Sequence, residues 1–212
     1  KVRLMPMTID TDRFRPGLEV KDMRTVFDNP ADAPVIGLVT RFQKYRRMEV
    51  FLEAAAKVIE KRPDVRFVLL GASSQMQETV IKPIAELGLQ SSVIVAGYRM
   101  DDYVDTLACF DIFSLLMPGF DGTARAVREA MAMAIPSVVT DYGMLPDIIN
   151  DGQTGRVVAS EVDPLAAAWL SLVDDTQLRQ KMGKAARQDA LERFQMKAMA
   201  ASLEESYLAW LG

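Results

Sequence analysis

Short apolar runs alternate with longer amphipathic segments along the chain, and this alternation predicts the architecture. VIGLVT (Val35 to Thr40), RFVLLG (Arg66 to Gly71), SVIVAG (Ser92 to Gly97), DIFSLL (Asp111 to Leu116), SVVT (Ser137 to Thr140) and a last run near Arg156 to Val158 are short enough for strands. They are apolar at successive positions, the pattern of strands covered on both faces. Between them the apolar positions move to helical spacing. Met48, Phe51, Leu52, Ala55, Val58 and Ile59 share one face, as do Ala126, Val127, Ala130, Met131 and Ala134. Gln75 to Gly88 reads as a helix kinked at Pro83. Asp101 reads as the cap of a helix carrying Tyr103, Val104 and Leu107, and Asp163-Pro164 and Asp175 open two more. Phe194 leads into a final helix with a stripe of Met196, Met199, Ala200, Leu203, Tyr207 and Leu211, and Trp210 beside it. Strands alternating with helices specify an α/β fold, a doubly wound, mostly parallel six-stranded sheet with helices on both faces.

The stretch from Met117 to Gly152 concentrates the chemistry. Pro118, Gly119 and Gly122 break the strand pattern, and Thr123 can cap a helix starting near Ala124. The free N–H groups of Gly122, Thr123, Ala124 and the next two residues then converge at the carboxyl end of a parallel strand, a seat for phosphate. Two carboxylates frame it. Asp121 lies on the turn, and Glu129, eight positions on, leans back toward the helix N-terminus. Acids around an anion site make sense when the ligand also carries hydroxyls, for which carboxylates are good acceptors. The alternative is that Asp121 is a helix cap and Glu129 a solvated charge. A second polar cluster, Arg41, Lys44, Arg46 and Arg47, follows the first strand; it is either an exposed charge run or a source of cations for a phosphate. Gly71 ends the second strand, where many nucleotide folds let the backbone approach a ligand.

Composition narrows the field. The 212 residues are 50% hydrophobic, enough for a sizeable core and most simply one domain. With 25 basic and 29 acidic residues, net −4, and no long charge blocks, the chain lacks the basic field of a nucleic-acid binder. No run of about 18 apolar residues is present to span a bilayer. The single cysteine, Cys109, falls in a predicted helix, reads as a small core residue and fits a reducing compartment. Histidine is absent, so no imidazole base, Ser-His-Asp triad or histidine metal site can form. The 13 methionines read as core filler. The opening KVRLMP looks like a strand with no signal peptide, and the expected localisation is cytoplasmic.

The central stretch resembles the donor-binding segment of retaining glycosyltransferases with two Rossmann-like domains, the GT-B type, and specifically family 4. That signature is a Glu, seven residues, a second Glu, an apolar helix and Gly-x-Pro. Here Asp121 and Glu129 take the acidic positions and Ala134-Ile135-Pro136 stands for Gly-x-Pro. Asp121 is one methylene shorter than the family Glu. Ala134 replaces a glycine that favours a left-handed helix end, at a cost of about 1 kcal/mol if that conformation persists. Pro6, Asp10, Phe14 and Pro16 match the family's linker into the donor domain, so Asp10 and Asp12 are expected to serve turn chemistry rather than a metal. The family's Gly-Arg-Leu…Lys-Gly becomes Arg41 and then Arg46-Arg47, Arg46 replacing the Lys and Arg47 the Gly.

The resemblance implies a division of the chain: a linker over 1–33, a nucleotide-sugar-binding domain over 34–193, and a helix over 194–212 that would cross to an N-terminal domain. It implies that Glu129 holds the ribose and Asp121 faces the donor sugar. Arg41 and Arg46 would stabilise the departing diphosphate, with Gly122, Thr123, Ala124, Gly71, Tyr98 and Arg99 binding the nucleotide; the alternative for Tyr98 and Arg99 is that they are ordinary surface residues. No metal and no cofactor are implied, the nucleoside diphosphate sugar (uridine or guanosine type) being the donor substrate. The implied partners are a sugar, glycan or glycolipid acceptor and the N-terminal domain, with peripheral membrane association compatible. This chain alone is expected to bind nucleotide without transferring. Three other readings share parts of the pattern: a sugar-nucleotide-binding module without catalysis, a double-Rossmann sugar-nucleotide epimerase, which lacks reason for the Asp121/Glu129 pair, and a dehydrogenase-type domain, against which no G-x-G-x-x-G follows the first strand.

Overall fold

The computed structural model describes residues 7–119 and 124–211. The KVRLMP opening and the turn holding Asp121, Gly122 and Thr123 lie outside the described residues. Among these, six strands form one sheet: β1 (Val35–Val39), β2 (Arg66–Leu70), β3 (Val93–Gly97), β4 (Ile112–Leu115), β5 (Ser137–Thr140) and β6 (Gly155–Val158). Their order is β3-β2-β1-β4-β5-β6 and every pairing is parallel. Each predicted apolar run supplies one strand, and β1, β2, β4 and β5 are buried along nearly their whole length.

The chain steps outward from β1 to β3, returns to β4, then steps outward the other way. Right-handed crossovers therefore place α2 (Met48–Lys61) and α5 (Arg125–Ala132) on opposite faces. On one face α2 packs against α7 (Val162–Asp174), where Trp169 meets Phe51 and Phe67 edge-on with centroids 4.9 and 5.4 Å apart. On the other, α5 packs against α8 (Thr176–Arg193). Contact there is close: a Cβ on Gly183 would lie 2.1 Å from the Ala134 carbonyl oxygen. Covered by the sheet and α8, α5 is buried all round, Arg128 and Glu129 included. Burial thus extends beyond the one apolar face that the helical spacing marks.

The remaining helices are α1 (Met23–Val26), α3 (Lys82–Glu86), α4 (Tyr103–Ala108), α6 (Leu145–Ile148) and α9 (Met196–Leu211). Pro83 does more than kink its helix. The preceding turn, Gln77–Ile81, is π-helical, which widens the backbone where the proline ring would crowd a carbonyl and where its missing N–H leaves an acceptor unpaired. Asp101 is not the cap of α4; Asp102 occupies that position, and its carboxylate binds Arg99 instead of the helix. Asp175 does cap α8, accepting from the Leu178 N–H at 2.8 Å. Cys109 follows α4 directly, buried, and burial pushes its thiol up to about 12.

Residues before β1 belong to the same core, which takes in Ile9, Phe14 and Met23. Asp10 makes a turn, its Oδ1 accepting from the N–H groups of Asp12 and Arg13 at 3.0 and 2.9 Å. Arg187 of α8 donates to the carbonyls of Thr11, Phe14 and Ala132 at 3.2, 2.9 and 2.7 Å, tying this segment to the end of α5. The Ile9 N–H donates to Phe194 O at 2.9 Å. In α9 the apolar stripe faces outward: Met196, Leu203 and Tyr207 are exposed, with Leu208 and Trp210. The inward side carries Ser206, with Ser202 and, from the stripe itself, Met199 half-buried. Among the described residues no helix is long and apolar enough to cross a membrane.

Two departures from the family's glycines have a structural cost. Arg47 and Ala134 both have positive φ, 57° and 59°. Ala134 completes a Schellman ending of α5: its N–H donates to Met131 O and the Ile135 N–H to Ala130 O, both at 3.0 Å. Ala134→Gly should therefore raise stability by about 1 kcal/mol. In thermal denaturation that is a midpoint rise of about 2–4 °C for a domain of this size; no change or a fall would show that the left-handed alanine is unstrained.

Candidate functional site

A cleft of about 530 Å³ opens at the carboxyl ends of β1, β2 and β3. It lies where the strand order reverses between β1 and β4, the place where open parallel sheets bind ligands because the turns there diverge to either face. The volume is in the range of small-molecule sites. Its walls come from the ends of β1 (Val39 to Arg41) and β2 (Leu70 to Ala72), the segment after β3 (Tyr98 to Met100), Tyr103 of α4, and Arg125, Ala126 and Glu129 of α5. Arg46 and the segment before β1, through Arg13 and Phe14, complete it.

Glu129 is buried, only 3% exposed. Its Oε2 accepts from the Tyr103 hydroxyl and its Oε1 from Arg125 Nε, each at 2.7 Å. It is not a solvated surface charge. Burial, and then the neighbouring Glu129 carboxylate, push the Tyr103 hydroxyl well above its ordinary pKa, so it remains a donor. Facing this acid are cations from the turn after β1. Arg46 is 4% exposed, donates to the Met117 carbonyl, lies over the Tyr45 ring at 4.7 Å and keeps its Nε without a partner. Burial draws its pKa down from the ordinary guanidinium value, the mark of a charge short of compensation. Arg41 is exposed at the rim, and among the described residues it pairs with no carboxylate. Lys44 and Arg47 turn away, to Glu78 at 3.5 Å and Glu49 at 2.9 Å.

Ala124 is the buried N-cap of α5 and begins the described part of the expected phosphate seat. Arg125 and Ala126 bring the first turn of that helix to the cleft, where its dipole favours an anion. Gly71 lines the cleft as expected, but what its missing side chain admits is protein. With φ at 145°, a Cβ there would sit 1.8 Å from the Thr40 carbonyl oxygen. Tyr98 is 75% exposed at the mouth. Arg99 is committed to Asp102 through both Nε and Nη2; that pairing raises the arginine pKa and lowers the aspartate's. Sequence reasoning missed Arg13, Phe14, Tyr103 and Arg125 as cleft residues. Only Arg125 carried a usable signal, its i,i+4 spacing to Glu129.

The family model described as glycosyl transferases group 1 matches residues 19–189. The chain belongs to this family. Two glycosyltransferases resemble it over nearly its whole length. A D-inositol 3-phosphate glycosyltransferase of Corynebacterium diphtheriae is 31% identical over 209 residues, 93% of this chain and 48% of the relative. A GDP-mannose-dependent alpha-(1-6)-phosphatidylinositol monomannoside mannosyltransferase of Mycolicibacterium smegmatis is 27% identical over 211 residues, 95% and 54% of the two chains. The chain thus spans about half the length of these relatives. Among solved structures, Anabaena Alr3699/HepE in complex with UDP and glucose superposes with a TM-score of 0.83 at 22% identity, over 95% of this chain and 55% of that one. The C-terminal domain of the group 1 family protein LpcC from Francisella tularensis superposes with a TM-score of 0.74 at 22% identity, over 89% of this chain and 99% of that one.

Proposed function

We propose that this chain is the donor-binding half of a retaining glycosyltransferase, which moves a glycosyl group from a nucleoside diphosphate sugar to an acceptor. The observation that carries the reading is a single cleft lined by both the buried Glu129 carboxylate and the cations Arg46 and Arg41. A carboxylate accepts ribose hydroxyls; two guanidiniums and a helix N-terminus match a diphosphate. In this reading Arg41 and Arg46 compensate the charge that builds on the diphosphate as the glycosyl bond breaks, and Arg46 is held in place beforehand by the Met117 carbonyl. Tyr98 and Arg99 border the nucleotide, Gly122, Thr123 and Ala124 supply N–H groups to it, and Asp121 faces the donor sugar, a role resting on the family resemblance. The acceptor, a sugar, glycan or glycolipid, would be held against the donor by a second domain, since positioning both substrates supplies much of the rate.

Calorimetry with UDP and GDP tests this, the two nucleotides being those in the names of the mannosyltransferase relative and the Anabaena structure. One of them should bind, and chelation with EDTA should change its affinity by less than tenfold, about 1.4 kcal/mol, because the arginines already supply the positive potential. The chain alone should not transfer sugar. In the complete enzyme, NMR of the product should show the donor's anomeric configuration. No binding of either nucleotide would overturn the reading, a larger EDTA effect its metal-free form, and the opposite configuration the retention.

A further inference from the structure

Glu129 is a restrained carboxylate, held by a donor on each oxygen. An ionised carboxylate offers about four lone-pair sites. One on each oxygen is taken, Oε2 by the Tyr103 hydroxyl and Oε1 by Arg125 Nε, both at 2.7 Å. Donors on both oxygens restrain the carboxylate and leave one acceptor site on each. That vacancy matches two adjacent O–H groups, a vicinal diol. Tyr103 is itself held from behind: Phe14 meets its ring edge-on at 6.1 Å, and the Phe14 carbonyl accepts from Arg187 at 2.9 Å.

We propose that Tyr103, with Arg125, is a positioning residue that aims Glu129 at an intact ribose diol, so that the cleft selects ribonucleoside over 2′-deoxyribonucleoside diphosphates. The inference rests on the nucleotide-binding reading of the cleft and adds a selectivity to it. A 2′-deoxy ligand brings one O–H to two acceptors and leaves a buried lone pair without a donor, the situation in which polar sites discriminate most strongly. Without the tyrosine hydroxyl, one carboxylate oxygen is unrestrained, and Glu129 can turn to follow whichever hydroxyl remains.

The test is titration of UDP, GDP, their 2′-deoxy counterparts and inorganic pyrophosphate into the chain and its Tyr103→Phe variant. The unaltered chain should prefer the ribonucleotide by about tenfold or more, the variant by about threefold or less, with pyrophosphate affinity within about twofold between them. An unchanged preference, or an equal loss for nucleotides and pyrophosphate, would reduce Tyr103 to a packing residue. Should the Tyr103 variant fold poorly, Arg125→Gln releases the other oxygen from a side chain that is 54% exposed, and should lower the preference in the same way; an unchanged preference there overturns the proposal. If the unaltered chain binds neither UDP nor GDP, the nucleotide reading falls as well; binding with a preference that neither variant lowers overturns the selectivity alone.

Discussion

Replacing Gly71 with alanine should destabilise the fold by about 2–5 kcal/mol, combining a strained φ with a clash against backbone. The glycine has φ at 145°, and the added Cβ would lie 1.8 Å from the Thr40 carbonyl oxygen and 2.9 Å from its carbon. Neither neighbour is free to retreat. The Thr40 N–H donates to Leu70 O at 3.0 Å and the Gly71 N–H to Gly97 O at 2.8 Å, so the ends of β1, β2 and β3 are stitched together at this point. The same residues form one wall of the cleft. Urea denaturation should show the loss, and any nucleotide affinity that survives should be weaker. A loss below about 1 kcal/mol would mean that the strand ends slide apart cheaply.

Glu129→Ala should weaken nucleoside diphosphate binding by about 1–3 kcal/mol, the range for hydrogen bonds to a charged group, and scarcely alter binding of inorganic pyrophosphate. The asymmetry follows from the layout: Glu129 stands on α5 across from Arg46 and Arg41, and a phosphate-only ligand uses the cations alone. The alanine variant also deprives the buried Tyr103 hydroxyl of its acceptor, which costs stability of about 1–3 kcal/mol. Glu129→Gln retains an oxygen for Tyr103, so comparing the two variants by calorimetry and thermal denaturation separates ligand contact from fold. Equal losses for nucleotide and pyrophosphate would remove the ribose role.

The chain's local patterns carried a large share of this architecture. All six strands appear where apolar runs lie, because a strand buried on both faces needs an unbroken apolar sequence, and the helices appear where the period shifts. Local capping was partly legible: Asp175 caps α8 as read, whereas Asp102 rather than Asp101 holds the N-cap position of α4, its carboxylate taken by Arg99. The stripe on α9 was legible as a pattern but not as to direction, since periodicity locates a face without saying what it meets.

The candidate site divides in the same way. Arg41, Arg46, Glu129 and Gly71 were named from the sequence, each near the end of a strand or the start of a helix, where a parallel sheet must present its ligand groups. What surrounds them was not legible. Tyr103 reaches Glu129 across 26 positions, and Arg13 and Phe14 reach the same cleft from before the first strand; no periodicity encodes such meetings, which depend on strand order and crossover hand. The sequence by itself determined which residues are strand, helix and turn, because those choices rest on hydrophobic period and backbone preference within a few residues. Only the tertiary structure decided that α5 is buried on every side, that Gly71 accommodates Thr40 and that Glu129 is held by two donors, because burial and pairing are set by neighbours that the chain brings together from far apart.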